Sequence, residues 1–154
     1  MARNPGLNRG LTVLQEQVVE SATAVMVTAD TLFTVVGGPI QIVAMHSICV
    51  SANDTTASTL QYKVTPTVGA GATTISNASA SLASAAAGAC VSLAGTALAT
   101  AALLSANGPN LVANPGTIFC PAGAISVVIG VGSTTGTWKH YIRYMPLTDG
   151  VTVS

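Results

Sequence analysis

Charged side chains are almost missing from this sequence: Asp, Glu, Lys and Arg make up 6% of its 154 residues, against about 25% in an ordinary soluble domain. Between Lys63 and Lys139 there are none at all. Five basic residues balance five acidic ones, so the chain has no basic patch with which to neutralise phosphates, and no nucleic-acid partner is expected. A net charge of +0, with 49% hydrophobic residues and a mean hydropathy of +0.60, also removes the repulsion that keeps solitary molecules apart. Such a chain either sets its surface against other subunits or faces water with Ser, Thr, Asn and Gly.

Groups that could carry chemistry are equally few. Only His46 and His140 are conventional bases, the acids are Glu16, Glu20, Asp30, Asp54 and Asp149, and no GxSxG elbow occurs. The expectation is a non-enzymatic protein with no small-molecule substrate and no cofactor. His46 reads as a hydrogen-bonded strand residue and His140 as a neighbour of aromatic rings. The two histidines and the cysteines lie at none of the short spacings of sequence-local metal sites, so no metal is expected. Cys49, Cys90 and Cys120 are odd in number, widely spaced and without a CxxC, which fits free buried thiols. Residues 69–74 begin like a dinucleotide-binding turn but lack its third glycine and the start of a helix.

A bilayer span is not expected either. Residues 82–104 are uncharged and long enough, yet Ser84, Gly88, Ser92, Gly95, Thr96 and Thr100 interrupt them, and no Trp, Tyr, Lys or Arg flanks the run. The first residues have no continuous apolar stretch of the secretory type, which predicts assembly in a cytoplasm. The sequons at Asn53 and Asn77 then read as chance occurrences.

What the chain does have is strand-like sequence broken by turn residues. Residues 1–11 combine Pro5, Gly6 and Gly10 with Arg3 and Arg9, the make-up of an extended N-terminal arm. Residues 11–21 are ambiguous and lean to strand. Strands are expected at 31–36, 40–50, 59–65, 117–120, 124–131 and 137–145, with short strands and loops over 68–107. In 40–50, strict alternation puts Ile40, Ile42, Ala44, His46, Ile48 and Val50 on one face; both faces are apolar, so this should be a central strand. In 137–145, Trp138, His140, Ile142 and Tyr144 share one face and Lys139, Tyr141, Arg143 and Met145 the other. Many short strands without helical periodicity predict an all-β fold: a β-sandwich, jelly-roll-like single domain over 12–154 behind the arm.

The stretch Ser133-Thr134-Thr135-Gly136-Thr137-Trp138-Lys139-His140-Tyr141-Ile142-Arg143-Tyr144-Met145-Pro146-Leu147-Thr148-Asp149-Gly150-Val151 resembles a pattern of small virion proteins of tailed bacteriophages. In those proteins a Thr-Gly turn leads into an aromatic strand ending in Arg-Tyr-x-Pro-Leu. The match is close over about a seventh of the chain and extends in composition to the rest. The resemblance implies a capsid decoration, or cement, protein: a β-sandwich homotrimer on the outer surface of the virion, bound to the major capsid protein and assembled in the host cytoplasm. On that expectation Arg3, Asn4, Pro5, Leu7, Arg9 and Leu11 grip the capsid, and Trp138, His140, Tyr141, Ile142, Arg143 and Tyr144 serve core and trimer contacts. The alternative is a head- or tail-fibre component that recognises a receptor or glycan by stacking on Trp138, Tyr141 or Tyr144.

Overall fold

A computed structural model of the chain describes residues 15–69, 71–93, 103–105, 118–132 and 134–154. Among these residues every regular element is a strand: β1 (Gln17–Glu20), β2 (Ala24–Val25), β3 (Ala29–Val36), β4 (Ile40–Cys49), β5 (Thr59–Pro66), β6 (Thr73–Thr74), β7 (Cys90–Ser92), β8 (Leu103–Ser105), β9 (Ile118–Cys120), β10 (Gly123–Gly130), β11 (Thr137–Pro146) and β12 (Thr152–Val153). No helix among them is long and apolar enough to cross a membrane. The arm, residues 1–11, lies outside the described residues, as do parts of the 68–107 region.

The strands pair antiparallel into two sheets. The first runs β1-β11-β4-β7-β8, with β2 also on β11 and β9 also on β4; the second runs β12-β3-β10-β5-β6. Their inner faces share one apolar cluster, in which Trp138, Ile142, Ile42 and Met45 of the first sheet are buried together with Phe33, Tyr62, Leu60 and Ile125 of the second. This is a β-sandwich, the architecture that two half-apolar sheets adopt to cover each other. Burying each of these large side chains is worth roughly 1.5–3 kcal/mol, which explains how a chain so poor in charge still specifies a core.

β4 and β11 form the longest pairing, from Trp138 opposite Cys49 to Pro146 opposite Ile40. β4 is central, as its two apolar faces require. Strict alternation along it, however, does not hold. The register slips between Arg143 and Tyr144, opposite Ala44 and Ile42, so Val43 is an unpaired extra residue. Such a bulge reverses the parity of the strand beyond it. Ile40 and Ile42 point inward, but the inward set continues as Met45, Ser47 and Cys49, while Ala44, His46 and Ile48 face out and Val50 is exposed past the strand end. A second slip, between Ile125 and Ser126 of β10, skips Leu32 on β3 and leaves Phe33 and Val35 inward.

The turn into β10 passes so close to β5 that a side chain at Gly123 would strike backbone. A Cβ there would lie 2.2 Å from the Thr65 carbonyl oxygen and 2.8 Å from the Pro66 Cα, at a φ of +153°. Glycine meets that approach without a clash.

Candidate functional site

The alternation along β11 is unbroken, and it divides the residues singled out in the sequence between two environments. Trp138, His140, Ile142 and Tyr144 are in the core, none more than 4% exposed. Tyr141 is half-buried and Arg143 exposed on the outer face. The three aromatic residues therefore do not form one cluster. Trp138 and Tyr144 offer no ring to a sugar, which removes the stacking platform expected of them. Only Tyr141 remains, half-buried, with Lys139 Nζ 5.7 Å from its ring centroid.

Each inward polar group on β11 has a specific partner. Trp138 Nε1 donates to Asn53 Oδ1 at 3.3 Å, and the Gly136 amide donates to the same oxygen at 2.9 Å. Asn53 Nδ2 donates to the Leu82 carbonyl at 3.0 Å. This buried amide thus ties the turn before β11 to the loop before β7. The sequence marked Asn53 only as a turn residue and a sequon; its side chain is instead buried and hydrogen-bonded. Tyr144 donates its hydroxyl to Gln17 Oε1 at 2.6 Å, holding β1 on β11.

His140 starts a buried chain that crosses the sandwich. Its Nδ1 lies 2.7 Å from Ser47 Oγ, which lies 2.8 Å from the Tyr62 hydroxyl, which donates to the Val91 carbonyl at 3.2 Å. Proton counting fixes the direction. Tyr62 has one hydroxyl proton and gives it to Val91, so it accepts from Ser47; Ser47 then accepts from an Nδ1–H of His140. The Ser47 proton thus points away from the imidazole, opposite to the arrangement in which a base activates a serine. Chemically, the chain joins the two sheets through satisfied polar groups. Burial holds His140 down to about 4, against a smaller opposing effect of Asp30, and burial pushes the Tyr62 phenol up. His46, half-buried on the outer face, is 2.9 Å from Ser92 Oγ through Nδ1 and is lowered by burial and by Arg143.

Cys49 and Cys120 are buried, as expected, and Cys90 is half-exposed. No group of three or more His, Cys, Asp or Glu that could hold a metal occurs among the described residues. The capsid-gripping candidates Arg3, Asn4, Pro5, Leu7, Arg9 and Leu11 lie outside the described residues.

The two outer faces of the sandwich differ in chemistry. On the first sheet, cross-strand rows place Val18 beside Arg143 and Ala44, Tyr141 beside His46, Lys139 beside Ile48, and Met145 beside Gln41 and Phe119. Val18 is 65% and Phe119 68% exposed there. Two ion pairs, Lys139 with Glu20 and Arg143 with Glu16, lie along the same face. On the second sheet the outward rows are Thr34, Ala124 and Thr65, then Thr31, Ser126, Lys63 and Thr74, then Ala29, Val128 and Gln61, with Val36 also exposed. Sequence reading missed the exposure of Phe119, although its position between inward Ile118 and Cys120 puts it on the opposite face by simple alternation.

Compared with protein-family models, curated proteins and solved structures, the chain matches none.

Proposed function

We propose that this chain is a non-enzymatic structural subunit of a virus particle: a decoration, or cement, protein that binds and stabilises the mature capsid of a tailed bacteriophage as a homotrimer. The observation that carries the reading is the asymmetry of the sandwich. One outer face presents Val18, Tyr141, Met145 and Phe119 around two ion pairs, Lys139 with Glu20 and Arg143 with Glu16, and the other carries Thr31, Thr34, Thr65, Thr74 and Ser126 among its outward residues. The first has the aromatic and apolar character of a protein interface, and the second suits exposure to water. The charge-free stretch 64–138 fits the same role, because contacts made by it bury no ions and incur no ionic desolvation cost.

A protein that binds the assembled shell and not its dissociated subunits adds its binding free energy to the assembled state by mass action. On this reading the arm carries Arg3 and Arg9 toward the major capsid protein, and the outer face of the first sheet meets a neighbouring copy or the shell. The alternative, a fibre component with a glycan-binding role, retains only Tyr141 of its three proposed rings.

Native mass across a range of protein concentrations tests the assembly. A stable trimer that becomes monomeric in Phe119→Lys and Val18→Lys, with unchanged circular dichroism, is the expected result. A monomer at every concentration overturns the homotrimer. Co-sedimentation with intact shells, and not with dissociated capsid subunits, tests the cement role; failure to sediment with shells overturns it.

A further inference from the structure

A cleft of about 440 Å³ opens between the sheets, where the segment joining β1 to β2 faces β3. His140, Asp30, Glu20, Ser21, Thr31 and Ser154 contribute its polar wall, and Met26 and Leu32 an apolar one. The inner end of the imidazole is committed: Nδ1 donates to Ser47. His140 is 4% exposed and lines the cleft, and no hydrogen bond engages its Nε2 among the described residues. With the proton on Nδ1, Nε2 carries a lone pair. The cleft therefore holds an acceptor to which no described residue donates.

Asp30, Glu20 and Ser21 at the cleft also accept, and Thr31 and Ser154 add hydroxyls that can do either. Asp30 takes the Val27 amide on Oδ2 at 2.7 Å, and no described residue donates to its Oδ1. Glu20 is paired outward with Lys139 at 2.9 Å. Ser21 Oγ already donates its proton to the Ala22 carbonyl and accepts the His140 amide. Among the described residues no Lys or Arg lines the cleft. A ligand that matches this set must bring N–H donors and positive charge, and an alkyl stem would cover Met26 and Leu32. Among the described residues the groups at the cleft do not form a metal-ligating cluster, so an organic cation fits better than a metal ion.

We propose that this cleft binds an alkylammonium group, the ammonium donating to His140 Nε2 and to the Asp30 carboxylate while its methylenes lie against Met26 and Leu32. The source is either a free amine or a lysine side chain of a partner. The proposal does not depend on the capsid reading.

The test is titration of the full chain near neutral pH with butylammonium and, separately, with Nα-acetyl-lysine amide, following the His140 ring nitrogens by NMR. Tetramethylammonium, a cation without N–H, is the control. The expected result is a saturable shift of the Nε2 resonance with either amine and none with tetramethylammonium. Asp30→Asn keeps an acceptor for the Val27 amide but loses the charge, and should weaken binding about tenfold, the share of one charge-assisted hydrogen bond. Tighter binding of the lysine derivative than of butylammonium would assign the cleft to a partner's side chain, and equal binding to a free amine. No saturable shift with either amine, an equal shift with tetramethylammonium, or unaltered affinity in a folded Asp30→Asn protein would overturn the proposal.

Discussion

Ser47 and His140 stand opposite each other on adjacent strands, with Ser47 Oγ 2.7 Å from His140 Nδ1 and both residues inside the sandwich. The contact fixes the tautomer of the imidazole and makes its charge incompatible with the fold. Protonating Nε2 would place a cation beside Tyr62 and the core, with Asp30 as the nearest compensating charge and Glu20 already paired to Lys139.

Stability should therefore fall on acidification. The His140 pKa is about 4 in the folded chain against 6.5 for an unperturbed histidine. The folded state thus binds fewer protons than the unfolded state between these values, so stability is full above the higher value and is lost as pH falls toward the lower. The loss should approach about 3 kcal/mol near pH 4. His46, also lowered, acts in the same direction. Urea unfolding from pH 7.5 to 4 checks this: His140→Gln should be less stable at neutral pH but show a flatter pH dependence. An unchanged slope would assign the effect to other groups.

Asn53→Ala should destabilise the chain by about 3 kcal/mol, because it strands the buried donors of Trp138 and Gly136 together and leaves the Leu82 carbonyl with only the Ala85 amide. The midpoint of urea unfolding should drop with little change in its slope. Gly136→Ala should be at least as damaging, since a Cβ there would lie 2.1 Å from the Ser51 carbonyl oxygen.

Trp138 is the one tryptophan and is 0% exposed. Its emission in the native protein should be blue-shifted, insensitive to iodide, and unaltered by added sugars. Quenching by iodide without unfolding would restore a sugar-stacking role for this ring.

The thiols should differ in reactivity. Burial raises all three, Cys120 to about 11, and Cys49 and Cys120 are also shielded from reagent. Thiolate is the reacting form, so alkylation at pH 8 should label Cys90 slowly and the other two only on denaturation. Mass spectrometry of partly labelled protein reads the order directly.

The sequence by itself determined the fold class, the main strands and the inward face of β11, because alternation and turn residues act over a few positions and need no partner. It also determined the scarcity of charge, and with it the demand for an unusual surface. Tertiary structure alone decided the rest. The bulge at Val43 arises from pairing with β11 and moved Ala44, His46 and Ile48 to the outer face. Asn53 became a buried tie only once its loop met Gly136 and Trp138, 83 and 85 residues further along the chain. The Ser47, Tyr62 and His140 chain and the cleft beyond it join strands from both sheets. Such contacts depend on register between distant segments, which no local pattern of side chains specifies.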